Sequence, residues 1–327
     1  MPETVIQVTN LIRDYGKFRA VDNISFAVPK GEIFGFLGPN GAGKTTTIKV
    51  LCTLLAPTSG SATVAGYDCA HDPDHVRAHI GIIFQDPSLD DRLTAEENLY
   101  FHSLLYHIPP AIRKERTDIV LDMVELSDRR KSLVREFSGG MKRRLEIARG
   151  LMHQPAVLFL DEPTLGLDPQ TRHHIWQYLL ELRTKTELTI FLTTHYMDEA
   201  ENCDRIAIID HGKIIALDTP TELKHGVGGD VITLATDDND TAIKELADIF
   251  NLKAEKNGDN SIFLTAPNGE SVIPDIIRKL TPRILSVSLK EPSLDDVFLT
   301  LTGRQIREET SSEKDRIRSF IRRRRNL

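Results

Sequence analysis

Nine residues constrain this chain more than any others: GPNGAGKTT, residues 38–46. The run fits the phosphate-binding loop pattern, and it stands where that pattern belongs, after the apolar strand EIFGFL and ahead of a helical stretch. Gly38, Gly41 and Gly43 leave the backbone free of Cβ atoms. Successive N–H groups, with Asn40 inside the run, can then wrap phosphate oxygens, and the helix N-terminus adds its positive dipole end. Lys44 is expected to reach the β and γ phosphates and Thr46 the α-phosphate side, while Thr45 offers a hydroxyl to Mg²⁺, a cation that takes oxygen ligands. A flexible turn with an incidental lysine would not need the strand before it and the helix after it.

The rest of the chain is read outward from that loop. Short β-type runs (VIQVT, ISFAV, EIFGFL) precede it and suggest an antiparallel edge sheet feeding a buried strand. After a helix over residues 43–54, the runs ATVAG, GIIFQ, AVLFLD, TIFLTTH and RIAIID recur between helical stretches, the rhythm of a mostly parallel sheet in an α/β domain. Between Gln85 and Ser138 strands stop, and ENLYFHSLLY and PAIRKERTDIVLDMVEL predict an inserted helical lobe, about residues 86–137. Past residue 224 the stretch HGVGGD reads as a linker. Residues 225–303 then read strand, helix, strands, helix, strand, a small α+β unit of ferredoxin-like order. EPSLDDVFLTLTG predicts one more helix, with Ser293 as N-cap, Asp296 three residues on, and Val297, Phe298 and Leu301 on one face. Residues 304–327 are a charged tail, and its Arg322–Arg325 run reads as solvated.

A length of 327 residues fits one large and one small domain. Net charge of -7 argues against a surface built to neutralise nucleic acid. Cys52, Cys69 and Cys203 form neither a disulfide framework nor a zinc spacing, so a reducing compartment is expected. The N-terminus has an acid at Glu3 and no apolar core of a leader, and the apolar runs fall short of the ~20 residues that cross a bilayer. A membrane role would therefore require a separate spanning partner. His71, His75 and His79 carry metal-like spacing, but Pro73 interrupts it, and Asp72 and Asp74 mark a solvated helix start.

A phosphate loop alone does not separate kinases, GTPases and transport ATPases. AVLFLDEPT supplies the second constraint, because an apolar strand ending in two acids suits a ligand crevice. Asp161 is expected in the Mg²⁺ shell and Glu162 beside the attacking water, although the pair could also cap the following turn. FSGGM, residues 137–141, followed by KRRLEIARGLMHQPAVLFLDEPT, resembles the signature and Walker B block of the ABC transporter nucleotide-binding domain. The resemblance covers about residues 5–224 and implies the fold: a mixed-sheet P-loop core, an antiparallel edge sheet and a helical subdomain. Phe137 and Met141 stand where the family usually has leucine and glutamine.

The resemblance implies the remaining roles. Tyr15 would stack on adenine, Gln85 would ligate Mg²⁺ and the water, and His195 would contact the γ phosphate and fix Glu162. Ser138, Gly139 and Gly140, with Asp168, would meet nucleotide across a dimer interface, since in the family ATP lies between one subunit's P-loop and its partner's signature. Taken singly, Ser138 and Asp168 read as helix caps and Gln85, Tyr15 and His195 as ordinary strand-end residues. DPSLDDRLTAEENL and EPSLDDVFLTLTG resemble the daunorubicin-resistance-type drug-export branch. That branch implies a homodimeric ATPase with Mg²⁺ at the cytoplasmic face of the membrane, powering a separate polytopic permease for drug-like or lipid-like efflux, with no nucleic acid. Two other classes are weighed: a soluble ABC ATPase acting on nucleic acid or ribosomes, and a nucleotide-sensing module with little turnover. One cassette without a heptad stretch speaks against the first, and Glu162 with His195 against the second.

Overall fold

The structure, a computed structural model, describes residues 3–85, 88–226, 229–257 and 261–302. The charged tail lies outside the described residues. Strands β1 (Thr4–Tyr15) and β2 (Phe18–Pro29) form a hairpin, and β3 (Ile33–Leu37) leads into the glycine loop and helix α1 (Lys44–Leu51). Next come β4 (Ser59–Val64), β5 (Tyr67–Asp68), α2 (Pro73–Ala78) and β6 (Ile80–Ile83). Helices α3 (Ala95–Leu105), α4 (Pro110–Met123) and α5 (Gly139–Leu151) precede β7 (Val157–Asp161), α6 (Pro169–Thr186) and β8 (Thr189–Thr194). A short α7 (Met197–Ala200), β9 (Arg205–Asp210), β10 (Lys213–Asp218) and α8 (Pro220–His225) complete this part. The C-terminal unit is β11 (Asp230–Thr236), α9 (Asn239–Phe250), β12 (Ala254–Asn257), β13 (Ser261–Ala266), α10 (Gly269–Lys279) and β14 (Ile284–Lys290), followed by α11 (Leu294–Thr302).

The central sheet has the order β10-β9-β3-β8-β7-β6 and is parallel except at the β10 edge. Its central strands β3, β7 and β8 are buried along their whole length, as IFGFL, VLFLD and TIFLTT require of strands covered on both faces. On one face Phe26, Phe34, Phe36 and Phe191 pack ring to ring with centroids 5.5–6.0 Å apart. The other face carries the helical side of the molecule, where Leu145, Leu160, Trp176 and Leu192 share one core.

One strand sits elsewhere than its place in the sequence rhythm suggests. The ATVAG run belongs to the antiparallel sheet β2-β1-β4-β5, where Ile6 faces Val64 and Val8 faces Ala62. Burial on β4 is confined to Ala62 and Val64, which suits a sheet covered on one face rather than a central parallel strand. The predicted helix over residues 43–54 is Lys44–Leu51, and the two lobe helices are α3 and α4. Thr94 and Glu97 close a capping box on α3, each side chain accepting from the other's backbone N–H. The C-terminal strands form an antiparallel sheet of order β12-β13-β11-β14 with α9 and α10 on its buried face. Among the described residues no helix is long and apolar enough to cross a membrane.

Candidate functional site

The parallel strands end on one side of the sheet, so β3, β7 and β8 deliver their C-terminal residues to one crevice, where ligands of open α/β sheets bind. A cavity of about 500 Å³ opens there, lined by Asn40, Gly41, Gly43, Lys44, Thr45 and Thr46 from the loop, with Gln85, Glu162 and His195 from neighbouring strand ends. Gly43 has φ +108°, and a Cβ on it would come within 2.5 Å of the Ala20 carbonyl, so only glycine fits this close approach. No side chain caps α1, and its first turn holds no acid, which leaves the helix N-terminus available to an anion.

Lys44 is 4% exposed and its Nζ donates to the carbonyls of Gly38 at 2.7 Å and Pro39 at 3.2 Å. The same Nζ stands 3.4 Å from Glu162 Oε1. Burial pulls the Lys44 ammonium below its usual pKa, against the opposing pull of Glu162 and Asp161. Asp161 lies behind the cavity wall, where Oδ1 accepts from Thr45 Oγ1 at 3.1 Å and from Thr193 Oγ1 at 2.6 Å. Thr45, Asp161 and Gln85 present a hydroxyl, a carboxylate and an amide, an oxygen set that fits a hard divalent cation such as Mg²⁺.

Glu162 occupies a left-handed backbone conformation, φ 49°, directly after β7. Its N–H donates to Thr193 Oγ1 at 3.1 Å, which fixes the turn against β8. His195 Nδ1 is buried 3.3 Å from Glu162 Oε1 without an aligned hydrogen bond. Burial pushes the Glu162 carboxyl up, but His195 and Lys44 outweigh it and hold the group below its ordinary value. A carboxylate, an ammonium and an imidazole thus converge on one oxygen beside a phosphate-sized loop.

Tyr15 stands on the rim, 44% exposed, with the Arg13 guanidinium 4.9 Å from its ring. Phe18, 62% exposed across the β1–β2 turn, lines the same cavity and was missed from the sequence. Its signal was a large apolar residue placed at a hairpin tip, where the described residues leave it largely uncovered. Arg143 was missed too: its guanidinium donates to Pro163 O at 2.6 Å and Phe84 O at 2.7 Å and pairs with Glu146 at 3.0 Å. It ties α5 to the segments that carry Glu162 and Gln85.

Ser138, Gly139, Gly140 and Asp168 do not line this cavity. Ser138 and Gly140 border a separate cleft of about 280 Å³. Ser138 caps α5 by accepting from Met141 N at 3.2 Å, and Asp168 caps α6 through Thr171 N at 3.0 Å. A Cβ on Gly140 would meet Thr171 Cγ2 at 2.5 Å, so the two caps are packed together. His71 and His75 pair with Asp68 and Asp72 respectively, each three residues before the histidine.

Residues 21–165 match the ABC transporter family, and residues 219–302 match the C-terminal domain of DrrA1-3-like ATP-binding proteins. The linearmycin resistance ATP-binding protein of Bacillus subtilis is 41% identical over 93% of this chain and 100% of its own length. This chain belongs to the ABC transporter ATP-binding family. As an ABC subunit it binds nucleotide and hydrolyses ATP, and subunits of this kind dimerise and work with a membrane permease. The daunorubicin/doxorubicin resistance ATP-binding protein of Streptomyces peucetius is 38% identical, covering 95% of this chain and 96% of that one. Among solved structures, an ABC transporter cassette in its ADP conformation superposes with TM-score 0.61 and 28% identity over 67% of this chain and 92% of its own. A dimeric cassette bound to ADP and Pi matches with TM-score 0.59 and 27% identity over 65% and 98%.

Proposed function

We propose that this ABC subunit powers efflux of a drug-like or lipid-like compound through a separately encoded permease, working as a homodimer at the cytoplasmic face of the membrane. The observation that carries the chemistry is the meeting of Lys44, Glu162 and His195 at one cavity, with Thr45 in its lining and Asp161 behind it. The substrate class rests on similarity over nearly the whole chain to drug-resistance ATP-binding proteins. Residues 1–224 form the cassette, with the lobe at about 86–137, and 225–303 follow as a ferredoxin-like unit whose last helix, α11, packs back on the cassette core.

Each residue has a task in the cycle. The loop amides and Lys44 hold the β and γ phosphates, and Tyr15 stacks on the base, an interaction worth ~1–3 kcal/mol on other base platforms. Thr45, Gln85 and Asp161 would hold Mg²⁺, which neutralises charge on the phosphates. Glu162 orients and polarises the attacking water while His195 holds that carboxylate and the γ phosphate. Ser138, Gly139, Gly140 and Asp168 close over nucleotide bound by the partner. Driving such closure from 1:99 to 99:1 takes ~5.5 kcal/mol of differential affinity.

Glu162→Gln tests both halves of the reading. The tagged variant, given ATP and Mg²⁺, is expected to accumulate as an ATP-bound dimer without turnover and to retain a polytopic protein from detergent-solubilised membranes. Continued hydrolysis would overturn the catalytic assignment, and recovery of ribosomes or DNA in place of a membrane protein would overturn the transport assignment.

A further inference from the structure

A third acid near the site, besides Asp161 and Glu162, has no part in the chemistry above. Glu199 lies on α7, four residues beyond His195, and is 1% exposed. Its two carboxylate oxygens are used by different segments. Oε1 accepts from Thr164 Oγ1, two residues past Glu162, and Oε2 accepts from Thr194 Oγ1 at 2.7 Å, one residue before His195. Arg172 Nε on α6 stands 3.8 Å from Oε1, and its guanidinium lies over the Tyr196 ring at 4.0 Å.

An acid buried to this degree is costly unless its oxygens are satisfied and a cation stands near. Burial pushes the Glu199 carboxyl above its ordinary value, and Thr194, Arg172 and His195 offset only part of that rise. A plain packing role would be served as well by an apolar side chain. What the carboxylate does that an apolar group does not is bridge two hydroxyls, Thr164 in the turn after β7 and Thr194 at the end of β8, each near a site residue.

We propose that Glu199 is a positioning residue for hydrolysis, tying the turn after Glu162 to the strand end before His195 so that the two side chains meet beside the γ-phosphate position. The inference rests on the roles assigned above to Glu162 and His195. It places no contact between Glu199 and nucleotide, so its loss acts on turnover and leaves ground-state binding alone.

Steady-state ATPase of the full chain, with fluorescent-nucleotide binding, tests this. Glu199→Ala is expected to lower kcat by about 10–100-fold, the effect of a misplaced catalytic group, while KM and nucleotide affinity stay within about twofold. Glu199→Gln keeps one acceptor oxygen and a planar group of the same shape, so it should recover most of the lost kcat. Thr194→Val removes a single tie and suits the case where Glu199→Ala fails to fold; kcat should fall by roughly 3–10-fold at unchanged KM. Wild-type kcat in Thr194→Val, equal loss in Glu199→Gln and Glu199→Ala, or a parallel loss of affinity and kcat would overturn the proposal. Glu162→Gln run alongside separates the two readings: if it still turns over, the catalytic assignment has failed, and if it is inactive while Glu199→Ala is normal, only this inference has failed.

Discussion

Lys44 and Glu162 hold each other in the candidate site. Nζ spends its hydrogen bonds on the Gly38 and Pro39 carbonyls and its charge on Glu162. On the proposed reading, a γ phosphate held by the loop would compete for the same ammonium and free the Glu162 carboxylate to act as a proton acceptor. The Lys44–Glu162 pair also makes stability depend on pH. Glu162 is held below its ordinary value of 4.5, so its contribution is fully present above that value and is lost as pH falls through the lower, folded-state value. Glu162→Gln imitates the neutral group. The wild type should therefore exceed Glu162→Gln in urea midpoint at pH 7, and the difference should shrink as pH falls below about 4.5. A difference that stays constant from pH 7 to acid would show that the ionised Glu162 beside Lys44 stabilises nothing. Residue identity alone made Lys44, Asp161 and Glu162 legible, since the phosphate loop and the acid pair fix their own context. Glu199 was illegible, because an acid in the run MDEAEN looks like the solvated face of a short helix until tertiary packing buries it.

Helix α11 shows how far an apolar stripe can be read. Ser293 and Asp296 cap each other at its start, Ser293 N donating to Asp296 Oδ2 at 3.0 Å and Asp296 N to Ser293 Oγ at 3.2 Å. Val297 and Phe298 turn inward, as the spacing predicts, and Leu294 joins them, while Leu301, expected on the same face, stays 44% exposed. Their partners were beyond the reach of the sequence, since periodicity names the buried face of a helix and not what buries it. The face is covered by α8 and by α7, the helix that follows His195, so the last helix joins the core of the nucleotide-binding part. Phe298 is 1% exposed, and Phe298→Ala should cost ~3–5 kcal/mol in urea unfolding, whereas Leu299→Ala, at a 39% exposed neighbour, should cost far less. Equal costs would mean that α11 is not docked on the cassette. The ATVAG strand was misplaced for a related reason: a run of five residues states that it is a strand, while its sheet is decided by β1, which offers an open edge to it.

At the scale of the whole molecule the two helix starts proposed to hold phosphate lie in different clefts, one around Lys44 and one around Ser138. A single chain leaves each half-site open, and a two-fold dimer that sets the Ser138 cleft of one subunit against the loop of the other would complete both sites together. Mixed dimers decide between this arrangement and a site complete within one chain. Lys44→Ala and Ser138→Ala should each leave a nearly inactive homodimer, the first by losing phosphate binding and the second by losing closure. If Ser138 acts across the interface, a dimer with one chain of each kind carries both lesions at the same site and leaves the other intact. Random mixing makes about half of the dimers mixed, so equal amounts of the two variants should regain up to about a quarter of wild-type ATPase. If Ser138 acted within its own chain, both sites of the mixed dimer would be broken and no activity would return. Recovery that rises with the mixing ratio and peaks at equal amounts would therefore tie hydrolysis to a composite site, and its absence would remove the dimer from the mechanism.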